Sequence, residues 1–250
     1  MDNNPLLVVK NLSKSFGSDS ILSEVSMSID SSECHCLIGR NGSGKSTLIN
    51  MIINLIEKDE GTIQIFDSDY ENNPELIKKN IGVLPEFNPV FEEFSVQDYL
   101  EYIGLIYDLE KELIASRIKF LVEYFFEEGP NPRKPISQFS KGMRLKAGLC
   151  AALMHKPKFL ILDEPFDGLD VFSSNSLVEF INEYRTKGNA ILVSSHDLLF
   201  MDKIASHISV IHETKLLNFT HEELTQNGKS FEKQVAEIMG YNPKGIQEFL

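Results

Sequence analysis

The sequence predicts an α/β fold: a core of apolar strands alternating with helices, an antiparallel β unit ahead of it, and a helical unit inserted into it. Three observations carry that expectation. The first third holds strand patterns, several alternating with period two. From about residue 87 to residue 139 the apolar and aromatic residues fall instead at helical spacing. Beyond residue 139, strand and helix patterns alternate again.

In chain order, Leu6 to Val9 is apolar, Val25, Met27 and Ile29 alternate, and Thr62 to Phe66 alternates after the turn at Gly61. Between them the apolar strand Cys34 to Ile38 runs into a glycine-rich loop and then the helical pattern STLINMIINLI. Ile81 to Leu84 is a further short strand, closed by Pro85. Ser95 with Asp98 reads as a capping box, followed by Val96, Tyr99, Leu100, Ile103, Ile106 and Tyr107 at helical spacing. A second helix, about Glu110 to Phe126, sets Ile114, Ile118, Leu121 and Phe125 on one face. Helices this apolar must pack on something, so these stripes are core packing. A loop with Gly129, Pro130, Pro132 and Pro135 ends the stretch. A helix from Met143 to about His155 stops before Pro157, and the strand Phe159 to Leu162 follows. Next come a helix through Val178 to Tyr184, the strand Ala190 to Val193, and a hairpin pairing Ile208 to Ile211 with Leu216 to Phe219. A last short helix runs from about Phe231 to Met239, is stopped by Gly240, and is assigned no role beyond packing.

At 250 residues with 42% hydrophobic content, the chain can build one good core or two small lobes. No window approaches the ~20 consecutive apolar residues of a membrane span. The start, MDNNPLLVVK, lacks the basic and apolar regions of a secretion signal. The net charge of −13 argues against binding nucleic acid, which needs cations to displace phosphate counterions. It also argues against adhesion to an anionic lipid surface, so any membrane contact must be indirect, through a protein partner. Cys34, Cys36 and Cys150 cannot all pair and read as buried free thiols of a reducing cytoplasm rather than a metal site.

Two motifs carry chemistry. Gly39-Arg40-Asn41-Gly42-Ser43-Gly44-Lys45-Ser46 is G-x-x-x-x-G-K-[ST] between a strand and a helix, a P-loop. Its glycines let the backbone curl so that successive N–H groups point at phosphate oxygens, and the following helix adds its positive end. Lys45 then reaches the β- and γ-phosphates, and the Ser46 hydroxyl ligates Mg²⁺. The second motif is the apolar strand Phe159 to Leu162 delivering Asp163 and Glu164 to its C-terminal edge, where open parallel sheets bind ligands. Asp163 would hold the Mg²⁺ shell, and Glu164 would orient and deprotonate the attacking water. Together they make the core that of a P-loop NTPase.

Around these motifs the chain resembles the ABC (ATP-binding cassette) ATPases. Phe139-Ser140-Lys141-Gly142-Met143, just ahead of a helix, is similar to their signature loop, usually LSGGQ. Gly168-Leu169-Asp170 resembles the D-loop, Val193-Ser194-Ser195-His196 the switch histidine, Ile81 to Glu86 the Q-loop, and Ser15-Phe16-Gly17 the aromatic A-loop. The likeness spans about Leu6 to Phe219 with every motif in order. It implies a cassette over 1–225, an inserted helical subdomain that reaches about 87–157 with the helix before Pro157, and a helical tail over 226–250. It implies an ATP site of Phe16, the loop from Gly39 to Ser46, and Thr47, completed by Ser140 and Gly142 of a second subunit. The Mg²⁺ shell would use Ser46, Glu86 and Asp163, and catalysis Lys45, Glu164 and His196. His35, His155, His207, His212 and His221 carry no assigned function.

The chain departs from the family pattern at several positions. Phe16 stands for tyrosine, Lys141 and Met143 for glycine and glutamine, Glu86 for glutamine and Arg40 for proline. The Glu86 and SKGM forms look like single-cassette ATPases of ABC-2-type exporters. The resemblance therefore implies an ATP-hydrolysing, energy-coupling subunit, a homodimer or paired cassette, held on the cytoplasmic membrane face by a separate transmembrane subunit. Two alternatives stand beside it: a soluble ABC ATPase of an assembly or repair complex, and a nucleotide-gated dimerisation module without transport.

Overall fold

A computed structural model describes residues 5–87, 89–126, 134–226 and 228–240. The strands β1 (Leu7–Phe16), β2 (Asp19–Ile29) and β3 (Cys34–Gly39) come first, followed by α1 (Lys45–Ile52), β4 (Glu60–Ile65), α2 (Pro74–Asn80) and β5 (Ile81–Leu84). Then come α3 (Val96–Ile106), α4 (Lys111–Phe125) and α5 (Lys141–Leu153). The last elements are β6 (Phe159–Asp163), α6 (Val171–Thr186), β7 (Ala190–Ser195), α7 (Leu198–Ile204), β8 (His207–His212), β9 (Lys215–Thr220), α8 (His221–Thr225) and α9 (Phe231–Ile238).

These elements form two sheets. An antiparallel sheet has the order β2-β1-β4, and a six-stranded sheet has the order β5-β6-β7-β3-β8-β9. In the larger sheet all pairings are parallel except that of β8 with β9. Its central strands are apolar on both faces, as buried parallel strands must be, and the alternation of side chains divides them between two cores. Cys34, Cys36 and Ile38 of β3, and Leu160 and Leu162 of β6, pack with the apolar residues of α3 to α7 and α9. Leu37, Phe159 and Ile161 face the other way, against β1, β2 and α1. Each such side chain removed from water contributes about 1.5–3 kcal/mol. The three cysteines are free and buried.

The stripes on α3 and α4 are largely core: Val96, Tyr99, Leu100, Ile114, Leu121 and Phe125 are buried. Ile106, expected on that face, is instead 57% exposed, because the helix ends beside it at Tyr107. Tyr107 stacks on His155 at 3.8 Å, and His155 Nε2 lies 2.8 Å from the Ile81 carbonyl, so the ends of α3 and α5 are tied to β5. Burial lowers the pKa of His155.

Several local expectations need correction. The capping box at Ser95 is half formed: Ser95 Oγ accepts the Asp98 N–H, but its own proton goes to the Asp98 carboxylate. α5 starts at Lys141, two residues before Met143, because Ser140 caps it by accepting the Met143 N–H. α1 ends at Ile52, short of the apolar pattern, where Asn54 adopts a positive φ. The helices α2, α7 and α8 are absent from the sequence expectation; at seven, seven and five residues they are too short to show a periodic stripe. Of the loop expected after α4, Gly129, Pro130 and Pro132 lie outside the described residues.

Candidate functional site

Strand register builds the site. β7 lies between β6 and β3, with Asp163 opposite Ser194 and Ile38 opposite Ser195. On the far side of β6, Leu84 of β5 stands opposite Leu162. The C-terminal ends of four parallel strands are therefore level, and Arg40, Glu164, His196 and Glu86 leave the sheet from the same edge.

The loop after β3 turns back through an Arg40 carbonyl to Ser43 N–H bond of 3.0 Å. Gly44 caps α1 at φ 105, where a β-carbon would also lie 2.8 Å from Ile21 Cγ2, so only glycine fits. Arg40, Asn41 and Gly42 are exposed, Ser46 and Thr47 half-buried. Lys45 is buried in the first turn of the helix, and its Nζ donates to the Gly39 carbonyl at 3.0 Å. The Ser43 hydroxyl is buried without a hydrogen-bond partner.

Lys45 Nζ also lies 3.5 Å from Glu164 Oε1, while His196 Nδ1 lies 2.9 Å from Glu164 Oε2. A carboxylate only accepts, so Nδ1 carries a proton in this contact. Glu164 itself takes φ 51, a left-handed conformation that lifts its side chain off the end of β6. Asp163 is buried beneath it, and burial holds its carboxyl above the usual carboxylate range. Hydrogen bonds from the Ser194 and Ser46 hydroxyls oppose that shift, whereas the charges of Glu86 and Glu164 add to it. Glu86, though exposed, lies 3.2 Å from the same Ser46 hydroxyl, whose single proton serves one of the two carboxylates at a time.

Ser46, Asp163 and Glu86 thus offer hard oxygen donors around one spot where like charges repel. That set fits Mg²⁺, which takes one or two carboxylates together with substrate phosphates. Among the described residues no group of three or more His, Cys, Asp or Glu side chains is arranged to hold a metal alone.

The structure joins Lys45, Ser46, Glu86, Asp163, Glu164 and His196 in this cluster. Among the described residues no hydrogen bond or ion pair links Phe16, Ser140 or Gly142 to it. Phe16 is 51% exposed at the β1–β2 turn, with Lys14 Nζ 5.2 Å from its ring centre. Ser140 is exposed at the start of α5, and its neighbour Lys141 lines a cleft of about 400 Å³ together with Glu86, Asp163 and Glu164. Gly142 is buried, because a β-carbon there would meet the Gly168 carbonyl at 2.6 Å. Lys141 Nζ pairs with Asp167 Oδ2 at 2.6 Å, clipping the start of α5 to the loop that follows Glu164. Ser194, whose hydroxyl bonds Asp163, belongs to the segment Val193 to His196, in which the sequence points only to the histidine. Its signal was its spacing, two residues before His196 and so on the same face of the strand.

Residues 22–167 match the family model described as ABC transporter. The lantibiotic transport ATP-binding protein SrtF of Streptococcus pyogenes is 32% identical over 236 residues, 92% of this chain and 100% of the relative. The bacitracin transport ATP-binding protein BcrA of Bacillus licheniformis is 29% identical over 236 residues, 93% of this chain and 76% of the relative. A solved structure of the ATP binding subunit of an ABC transporter has a TM-score of 0.85 at 30% identity, covering 93% of this chain and 99% of that one.

Proposed function

The chain belongs to the ABC transporter family as an ATP-binding, ATP-hydrolysing subunit, and from that premise we propose that it works in pairs on a separate membrane-spanning subunit of an exporter. The division into a cassette over 1–225, a helical subdomain about 87–157 and a tail over 226–250 is part of this proposal. The observation that carries the catalytic reading is the convergence of Lys45 and His196 on Glu164, at 3.5 and 2.9 Å, beside buried Asp163.

ATP stacks its adenine on Phe16 and lays its phosphates along Gly39 to Thr47. A nucleotide phosphate competes with Glu164 for Lys45, since the ammonium serves both. Freed from Lys45 but still held by His196, the Glu164 carboxylate accepts a proton from the attacking water. His196 holds that carboxylate in line and contacts the γ-phosphate. Ser46, Glu86 and Asp163 would hold Mg²⁺, which would supply neutralisation of phosphate charge. Ser140 and Gly142 bind the γ-phosphate of the nucleotide held by the other subunit, with the helix N-terminus of α5 favouring the anion.

No helix among the described residues is long and apolar enough to cross a membrane, and the net charge of −13 disfavours lipid and nucleic acid. A groove of about 570 Å³ supports docking to a transmembrane partner at the cytoplasmic face. Leu55 and Ile106, 71% and 57% exposed, line it, and Pro85 lies in both this groove and the cleft that holds Glu86.

Glu164→Gln tests the reading. Glutamine is nearly isosteric but accepts no proton, so ATP binding should persist while hydrolysis falls by roughly 10²–10⁴-fold. An ATP-bound dimer of doubled mass should accumulate in light scattering. Hydrolysis at the wild-type rate removes Glu164 from its role. Co-purification of a polytopic partner from solubilised membranes separates transport from a soluble assembly role.

A further inference from the structure

Asp163 and Glu164 are adjacent on β6, yet the neighbouring strand β7 holds both. Ser194, fully buried and directly opposite Asp163, donates its hydroxyl proton to Asp163 Oδ1. The Glu164 N–H approaches two Ser194 acceptors, Oγ at 3.2 Å and the carbonyl at 3.0 Å. Two residues on, the same strand supplies His196, whose backbone N–H lies 3.4 Å from Glu164 Oε2 and whose Nδ1 lies 2.9 Å from it. Period-two alternation places Ser194 and His196 on one face of the strand, so one edge of β7 faces both carboxylates.

We infer that Ser194 is a positioning residue for the reaction: its hydroxyl fixes the Asp163 carboxylate toward the metal, and its grip on the Glu164 N–H fixes the turn that carries the base. This rests on the assignment of Asp163 and Glu164 given above.

A serine hydroxyl has one proton and two lone pairs. Here the proton goes to Asp163, so the lone pairs are left for the Glu164 N–H, and the three groups form one directed chain. An alanine at 194 leaves a desolvated carboxylate oxygen of Asp163 short of a donor at a position that is 0% exposed, while the Glu164 N–H keeps only the residue-194 carbonyl at 3.0 Å. The chain leaves β6 at Glu164 in a left-handed conformation, φ 51, which a non-glycine residue keeps only when surrounding bonds over-determine it. The Ser194 contacts are two of those bonds. Hydroxyls that orient a metal ligand from behind typically change metal affinity or activity 10–100-fold when removed.

The test uses the full chain with Ser194→Ala, and Mn²⁺ as the probe ion followed by its paramagnetic resonance signal. With ATP bound to a Glu164→Gln background that blocks turnover, Ser194→Ala should raise the Mn²⁺ half-saturation concentration about 10–100-fold. ATP affinity in EDTA should stay within about twofold, since among the described residues no side-chain hydrogen bond joins Ser194 to the loop Gly39 to Thr47. Ser194→Cys keeps a single heavy atom with a proton at that place, slightly larger and a weaker donor; it should fold, as judged by thermal unfolding, and give an intermediate shift. It keeps the question open to refutation if the alanine variant does not fold. An unchanged Mn²⁺ half-saturation in the folded variant, while Asp163→Asn shifts it, overturns the role of Ser194 alone. Equal losses of Mn²⁺ binding and of EDTA-state ATP affinity also overturn it, as the mark of a general packing defect. No shift in Asp163→Asn takes down the metal assignment beneath it.

Discussion

Replacing Glu86 by glutamine should make the protein more stable and its metal site weaker at the same time. The Glu86 carboxylate lies 3.2 Å from Ser46 Oγ, so it faces the position assigned to Mg²⁺. Unit charges ~4 Å apart interact by roughly 1 kcal/mol in water and roughly 4 kcal/mol at a dielectric of about 20. Glu86 is exposed, so the lower figure applies. A divalent ion doubles it, and repulsion from the γ-phosphate cancels about half, leaving about 1 kcal/mol. The Mg²⁺ concentration for half-maximal hydrolysis should therefore rise about fivefold, with ATP binding in EDTA unchanged. Without metal the same charge works against the fold, because burial already pushes the Asp163 carboxyl up and the charges of Glu86 and Glu164 add to that shift. A carboxyl raised in the folded state costs stability once pH exceeds its unfolded pKa of about 4, and the cost vanishes as pH falls below that value. Glu86→Gln should thus raise Tm at pH 7 in EDTA, with the gain shrinking on acidification. ATPase titration and calorimetry check the two halves. An unchanged Mg²⁺ titration, with lost stimulation by the membrane subunit, refutes the reasoning and leaves Glu86 a coupling residue.

Two further outcomes follow. Ser140→Arg should weaken ATP-driven dimerisation while sparing first-ATP affinity, and mixing it with Lys45→Ala protein should restore one intact composite site; equal loss of first-ATP affinity in Ser140→Arg alone would place this loop in cis. His35, buried with Nε2 2.6 Å from Ser209 Oγ and Nδ1 without a partner, has its pKa lowered to about 3 by burial and by His207. An unfolded histidine gains its proton near 6.5 and the folded one does not, so stability should fall by up to about 1.4 kcal/mol per pH unit below 6.5. Melting curves of His35→Gln should lose that slope; an identical acid limb would exclude His35 as its source.

Local chemistry was legible in the sequence because its signals are contiguous. Gly39 to Ser46 needs eight neighbouring residues and the strand before them, and Asp163-Glu164 needs only the apolar run Phe159 to Leu162. The strand positions followed from alternation, since burial on one or both faces shows directly in residue type. Short helices left no such mark: α2 buries only Ile77, and its one cue is Asn73 capping a helix that begins at Pro74.

What the sequence by itself determined is the set of reactive groups and the strand ends that carry them. Only the tertiary structure decided which groups touch. Ser194 and Asp163 stand 31 positions apart and meet because β7 pairs in parallel with β6 in one register. A slip of one residue would turn Ser194 to the opposite face and present Val193 or Ser195 instead. Lys141 meets Asp167, and Gly142 lies against Gly168, because α5 packs beside the loop leaving β6. The physical reason is that parallel register and helix docking are fixed by the fit of whole apolar faces, which no motif within the chain records.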